Sequence, residues 1–533
     1  MKIKIFFTIA LTLIFCSCSK SDTKKAIKND ITITALIQQS TSTNTGLWKG
    51  WAANKLHRDT GIKVNFYNSG RGNSEMLKQY IAAGTLPDVI GFNTSQISLL
   101  MDTNLLKNLN QYKEELPNIF ETEYQKAIEY TNNEYGNSEN LYILPSNIGP
   151  QLNTNSIPMV QWAIYDEINK PSIKTLEDYL NIIEEMKKNK PLTPLGELMY
   201  GFSLYSTEDE YFAKEASALS YLYGIDTTIP FMEINNDINS ILKENSFYKR
   251  ALKFYFNANQ KDLLDPDSRT QTFEGYKKKY NSGRVLFSNY SDLVEKFNIK
   301  EKEVGFTGNS YVPVIAEDMK IYIKEDNPVG NGWYYGITTN SQNPDYAAKL
   351  LNWLYSKENI SLLYNGPEDV TWTMTDTGPK VIDTAWTIIR NKNENLMNGY
   401  PFNNLDYFGT LGLTPATKME NGYSLSYKYW PSTLHLEKLI FFENKNSFNT
   451  IKGNTALNFM KEPPKRIQEV NKSLGAVIKE NSWDMIYAKD EAEFEKIWKQ
   501  MLRICNDLGM KQVELTYKNL WYKALEKEKE YEK

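Results

Sequence analysis

The 533-residue chain contains several residue sets whose types and spacing could do chemistry, and each can be held against what that chemistry requires. Glu208, Asp209 and Glu210 stand side by side in "STEDEYF". A retaining glycosidase needs two carboxyl groups about 5 Å apart, and an inverting one somewhat more. Three neighbours in sequence do not make such a pair, and an acidic run of this kind reads as a solvated loop. Asp262, Asp265 and Asp267 in "DLLDPDSRTQTFE" hint at calcium, but the glycine and terminal glutamate of a calcium loop are out of place, so a turn is the better reading. His57 and His435 are far apart in sequence, which argues against a histidine-rich metal site. No Gly-x-Ser-x-Gly elbow, phosphate loop or His-Glu-x-x-His occurs. The expectation is a binder without catalytic residues, metal or cofactor.

Binding a polar solute such as a sugar calls for flat apolar surface and planar polar groups. Aromatics make up 13% of the chain, with 35 Tyr and 11 Trp, enough to supply such surface as well as a core. Trp48, Tyr290, Trp333, Tyr334 and Trp372 fall at expected loops or strand ends. Asn93, Asn153 and Asn155, with Thr94, fall where strands run out. These nine residues are the candidate ligand-binding set. The net charge of −4 gives no electrostatic footprint for nucleic acid.

The elements that must position them are legible in the pattern. "ITITALIQ" alternates as a strand, "WAANKLHRDTG" reads as a helix, and "IKVNFYNSG" as a second strand. In "SEMLKQYIAAG", Ser74 can cap a helix that Gly84 ends, with Met76, Leu77, Tyr80 and Ile81 on one face. "LPDVIGF" is the third strand. This alternation predicts an α/β domain with a mostly parallel sheet, whose ligands sit beyond the carboxyl ends of the strands. Ser40 to Trp48, Asn93 and Thr94 belong to that edge. Further on, Thr175 and Asp178 form a capping pair for a helix with Leu176, Tyr179, Leu180, Ile183 and Met186 on one face. Asn343 and Pro344 open another helix, with Tyr346, Leu350, Trp353 and Leu354 buried. The length exceeds what one core usually supports, so two or more domains are expected.

The amino terminus has its own logic. Lys2 and Lys4 precede an apolar run from Ile5 to Phe15 that is too short to span a bilayer, as in an export signal. The run stops on Cys16 and Cys18, which resembles the bacterial lipobox, where the thiol is lipidated and becomes the mature terminus. Ser17 is small enough to precede the cleavage point whereas Phe15 is not, which favours Cys18. The alternatives are a disulfide with Cys505 or thiols discarded with the leader. "SKSDTKKAIKND" then suits a disordered tether.

Taken in order, "LPDVIGFN", "LYILPSN", "LNTNSI", "IKTLEDYLNIIEEMKK", "KDLLDPDSRTQTFEGYKKKYNSGRVLFSNYS", "NPDYAAKLLNWLYSKE" and "LLYNGPEDVTW" resemble the extracellular solute-binding lipoproteins of carbohydrate-type ABC importers. The resemblance covers roughly residues 30 to 390. It implies a two-lobed α/β fold of the periplasmic-binding-protein kind, with a hinge and an interlobe ligand cleft. The implied division is residues 1–17 signal peptide, 18–30 tether, 31–151 lobe I, 152–330 lobe II, 331–385 lobe I again, and 386–533 lobe II with carboxyl-terminal helices. It also matches Tyr290 and Trp372 to the family's cleft aromatics. The partners implied are an oligosaccharide or other small polar solute and ABC permease subunits, for a monomer anchored by lipid on the outer face of the cell membrane. A surface glycan- or peptide-binding lipoprotein without a transporter remains an alternative, as does a secreted glycoside hydrolase.

Overall fold

In the computed structural model, which describes residues 30–38, 45–68, 74–120, 122–136, 139–151, 156–205, 214–235, 237–290, 294, 297–298, 310–323, 326–330, 332–376, 378–382, 407–426 and 449–531, "ITITALI" forms the first strand. This is β1 (Ile31–Ile37), whose Ile33, Ala35 and Ile37 point into one core while Leu36 enters the layer on the opposite face. β2 (Thr45–Leu47), α1 (Trp51–Thr60), β3 (Ile62–Tyr67), α2 (Ser74–Ala83) and β4 (Val89–Asn93) follow. Gly61 ends α1 in the left-handed region at φ 76°, its N–H returning to the His57 carbonyl. Then come α3 (Ile97–Asp102), α4 (Thr122–Tyr135) and β5 (Leu144–Pro145). β1 pairs in parallel with β3 and β4, so the carboxyl ends of all three point the same way.

The chain then builds a second body. It contains β6 (Met159–Gln161), α5 (Trp162–Glu167), α6 (Asp178–Asn189), α7 (Lys214–Tyr221), β7 (Met232–Ile234) and β8 (Ile238–Ser240). α8 (Phe247–Gln260), α9 (Phe273–Asn281), β9 (Phe287–Ser288), β10 (Tyr311–Pro313) and β11 (Ile321–Ile323) complete this segment. β6 lies between β10 and β9, antiparallel to both. The expected stripe of α6 is buried, with Ile182 added, and the Asp178 carboxylate accepts from the N–H groups of Lys174 and Thr175, both at 2.9 Å.

β12 (Trp333–Ile337) returns to the first sheet antiparallel to β4 and β5, giving the order β2-β3-β1-β4-β12-β5. α10 (Pro344–Leu354), α11 (Lys357–Asn365) and the hairpin of β13 (Trp372–Thr375) and β14 (Gly378–Val381) follow. β15 (Thr450–Lys452) pairs with β11, and α12 (Lys465–Ile486), α13 (Glu491–Asp507) and α14 (Met510–Tyr531) close the described chain. These last helices belong to the second body: Trp483, Phe494, Trp498 and Cys505 share its core with α8, and Trp498 donates to the Glu244 carboxylate at 3.0 Å. Burial pushes the Cys505 thiol up to about 12, which makes it an inert packing group.

The buried residues thus form two lobes, each assembled from separated segments. The first lobe's core runs from Ile33 to Ile148 and again from Tyr334 to Leu425. Apart from Tyr130, the second runs from Ile157 to Val329 and from Ala456 to Ala524. Phe408, Leu411, Leu413 and Leu425 pack in the first core, so that core draws on chain beyond residue 385.

At the crossings, Gly149 and Asn327 exchange backbone hydrogen bonds of 2.9 Å, and the Asn327 amide donates to the Asn147 carbonyl at 3.0 Å. Gly149 has φ 118°, and a Cβ there would meet Thr417 Oγ1 at 2.6 Å, so glycine is required. A separate contact ties the lobes through α4. Its Tyr130 leaves the first core to pack edge-on against Phe459 and Tyr531 of the second. Glu134, with a side chain 6% exposed, receives the ammonium groups of Lys461 and Lys527 at 2.7 Å each. Among the described residues, no helix is long and apolar enough to cross a membrane.

Candidate ligand-binding site

The carboxyl edge of the first sheet carries a run of amides because β1, β3 and β4 all end there in parallel. Gln38, Asn68 and Asn93 sit at those three ends, and Gln96 lies just past the last. They are cross-linked. Asn68 accepts from Ile37 N–H at 3.0 Å and donates to the Tyr407 carbonyl at 2.9 Å, while Gln96 donates to Gln38. Gln96 also accepts from Asn93 N–H at 3.0 Å, and Asn93 Oδ1 caps the turn by accepting from Ser95 N–H at 3.0 Å. The edge is therefore rigid before any ligand arrives.

β12 brings a further candidate to this edge. Trp333 lies opposite Asn93 in the ladder, and Thr94 N–H donates to the Gly332 carbonyl at 3.2 Å. Asn93, Thr94 and Trp333, far apart in sequence, thus meet at one place, and all three are half-buried. Ser146 joins them from the crossing strand, donating to the Trp333 carbonyl at 2.9 Å and bonding the Thr410 hydroxyl at 2.8 Å.

The second lobe offers its own edge. Ile157 N–H donates to the Asn289 carbonyl at 2.9 Å, which puts Ser156 beside the end of β9. The Asn289 amide reaches the Tyr255 hydroxyl at 3.5 Å, yet Asn289 Oδ1 and Ser156 Oγ are buried with no hydrogen-bond partner among the described residues. A buried polar atom left unpaired is costly and marks a place where a partner is expected. Tyr290 follows directly, half-buried, its backbone N–H bonded to Ser288 Oγ at 3.2 Å. Trp372 is half-buried at the start of β13, with its indole N–H on the Gly366 carbonyl at 3.0 Å.

Two of the expected ligand aromatics are buried in the core. Trp48 is 4% exposed and packs against Phe66, Tyr407 and Phe408. It lies across from Val64, back along β3 from the edge, so the sheet and the 407–408 segment cover it. Tyr334 is fully buried, stacked on Phe92 and hydrogen-bonded to Tyr135. Strand alternation turns its side chain away from that of Trp333. Burial holds both tyrosine hydroxyls neutral, pushing Tyr135 up to about 12 and Tyr334 well above its ordinary value. Asn153, Asn155 and Cys18 lie outside the described residues, as do His435 and the Glu208–Glu210 carboxylates.

The aspartate cluster is a turn closed by a lysine. Ser268 N–H donates to the Asp265 carbonyl at 3.0 Å. The Lys279 ammonium sits between Asp265 and Asp267 at 2.6 and 2.8 Å, and Ser203 and Gln271 also donate to the fully buried Asp265. Glu233, a carboxyl that burial pushes up, accepts from the N–H groups of Phe247 and Tyr248 at 3.1 and 2.6 Å and so caps α8.

The residues missed by sequence reasoning are Gln38, Asn68 and Gln96 on one edge and Ser156 and Asn289 on the other. A polar residue at a strand's end was the available signal for the first group. Nothing local could have paired Ser156 with Asn289.

Solved structures carry the same fold. An HMO-binding ABC-transporter-associated solute-binding protein from Bifidobacterium longum infantis aligns with TM-score 0.66 at 15% identity, covering 93% of this chain and 99% of its own. FusA, the ABC-transporter substrate-binding protein of Streptococcus pneumoniae in complex with kestose, aligns at TM-score 0.63 and 14% identity, covering 93% and 100%. The alginate-binding protein AlgQ2 gives 0.61 and 14%, covering 93% and 99%. No curated protein matches the sequence. The family model of the bacterial extracellular solute-binding proteins matches residues 51–373, the greater part of the chain and both lobes. With that match and two cores joined by crossing strands, this chain belongs to the bacterial extracellular solute-binding protein family.

Proposed function

We propose that the protein captures an oligosaccharide between its lobes and delivers it to an ABC permease, without chemistry of its own. The observation that carries the reading is the second-lobe edge, where Ser156 Oγ and Asn289 Oδ1 are buried without partners among the described residues, with half-buried Tyr290 next in the chain after Asn289. A sugar satisfies both needs at once, since its hydroxyls can donate and accept and its C–H face can stack on an aromatic ring. Asn93, Thr94 and Trp333 meet the ligand from the first lobe, Trp372 flanks it, and Asn153 and Asn155 belong to the same set. The sugars named with structures of the same fold, kestose with FusA among them, support this choice of substrate class.

The mechanism is differential affinity. The ligand touches both lobes only when they close, so it shifts the population toward the closed state. The crossing strands at Asn147–Gly149 and Asn327–Gly330 are where backbone rotation is absorbed. On this reading Cys18 carries the lipid that keeps a monomeric body on the outer face of the cell membrane, within reach of its permease.

A thermal-shift screen of the exported chain against oligosaccharides, peptides and other small polar solutes tests the reading. A ligand that binds only the folded state raises the melting temperature by mass action. A rise with one glycan class is expected. A rise with peptides alone would overturn the substrate class, and breakdown of the sugar in the same wells would overturn the absence of catalysis.

A further inference from the structure

Leu192, Leu195 and Leu198 are 47%, 87% and 59% exposed on one tight turn between α6 and the second-lobe sheet. Large apolar side chains gathered at the surface call for an explanation that a single exposed leucine does not. The turn is a small hairpin in which Leu192 and Leu198 face each other across an antiparallel bridge and Leu195 stands at the tip. It is stiff. Thr193 N–H donates to the Glu197 carbonyl at 2.8 Å, Gly196 N–H to the Thr193 carbonyl at 2.9 Å, and Met199 N–H to the Pro191 carbonyl at 3.0 Å. Glu197 N–H is held by Thr193 Oγ1 at 3.2 Å, and Gly196 supplies the left-handed corner at φ 80°. Pro191 and Pro194 carry no N–H at all. Four backbone donors are therefore satisfied inside the hairpin, which lowers the cost of taking it out of water.

We propose that this hairpin is a membrane knob, which dips its three leucines into the lipid surface beside which the exported protein works. The size of the patch decides between occupants. Three leucines on one turn fall well short of the roughly 800 Å² per partner that a stable protein interface needs. A shallow lipid contact needs only a few apolar side chains when a tether already holds the body close, because stable anchoring is the sum of two weak signals. Four cations border the hairpin: Lys187, Lys188 and Lys190 lead into it, and Arg284 donates to the Leu198 carbonyl at 3.1 Å. Each cation is already engaged, Lys187 by the Asp262 carbonyl, Lys188 by Glu184 at 2.6 Å, Lys190 by Glu167 at 3.4 Å and Arg284 by Glu197 at 3.7 Å. The contact is accordingly apolar first, and insensitive to lipid charge.

The proposal rests on the reading that the exported chain stays at a membrane, so the test supplies the tether itself. The chain from Ser19 onward, with an amino-terminal His tag in the place of the lipid, is held on phosphatidylcholine vesicles containing nickel-chelating lipid. A polarity-sensitive fluorophore is attached at Leu195→Cys, and in a control at the exposed Lys511→Cys. The expected result is a blue shift at position 195 with quenching by lipid-borne nitroxides, none at 511, and little change when anionic lipid is added. Adding Leu192→Ser and Leu198→Ser removes the shift while the melting temperature holds. An unshifted fluorophore at 195 on tethered vesicles overturns the proposal. So does a shift without vesicles that grows with protein concentration, which assigns the leucines to a second copy.

Discussion

At the residue scale, burial separates groups that sequence alone ranked together. Trp48 and Tyr334 are as aromatic as Tyr290 and Trp372, but only the latter pair retains surface for a ligand. Trp48→Ala is expected to destabilise the fold by about 3–5 kcal/mol, as removal of a packed core aromatic does. The measurement is urea unfolding, and the ligand affinity of the folded protein should stay near that of the parent. Tyr290→Ala and Trp372→Ala should do the reverse, weakening the ligand about tenfold or more, which is about 1.4 kcal/mol, with the melting temperature preserved. Asn289→Leu is sharper. It keeps the volume while removing the Oδ1 acceptor together with the long amide contact to the Tyr255 hydroxyl, so ligand affinity should fall with little change in stability. Normal binding by Tyr290→Ala and Asn289→Leu, read by calorimetry, would remove the second-lobe edge from the site.

At the element scale, α4 is the part that belongs to both lobes. Burial pulls the Glu134 carboxyl upward, but hydrogen bonds from the Lys461 and Lys527 ammonium groups outweigh it, and its pKa ends below the ordinary 4.5. A carboxyl lowered by folding contributes stability that is present above its unfolded value and lost as pH falls through the folded one. Glu134→Gln should therefore melt below the parent at neutral pH, with the gap constant down to about pH 4.5 and closing beneath it. Parallel melting curves across that range would show that the clasp adds nothing. The elements themselves were largely readable in advance. β1, β3 and α6 follow from short-range periodicity, because one covered face imposes its period on the residues that fill it. β12 was readable as a strand but not in orientation: with layers on both faces of its sheet, alternation does not mark which side chain meets the edge.

At the scale of the whole molecule, two lobes joined by crossing strands can respond to a ligand by closing. The radius of gyration from small-angle scattering should contract on saturation with the glycan found in the thermal screen. An unchanged radius with tight binding would place the ligand on one lobe alone. That Leu411, Leu413 and Leu425 join the first core could not be read in advance, because they sit in irregular chain where no period reveals a destination. The sequence by itself determined the α/β class, the ordered motifs of the family and most helices and strands, since these depend on neighbours a few residues apart. The tertiary structure alone decided which aromatics are core, where the chain last changes lobe, that Lys279 closes the aspartate turn, and that Ser156 and Asn289 share one dry edge. Those outcomes depend on which distant segments exclude water from each other, and chain pattern does not encode that locally.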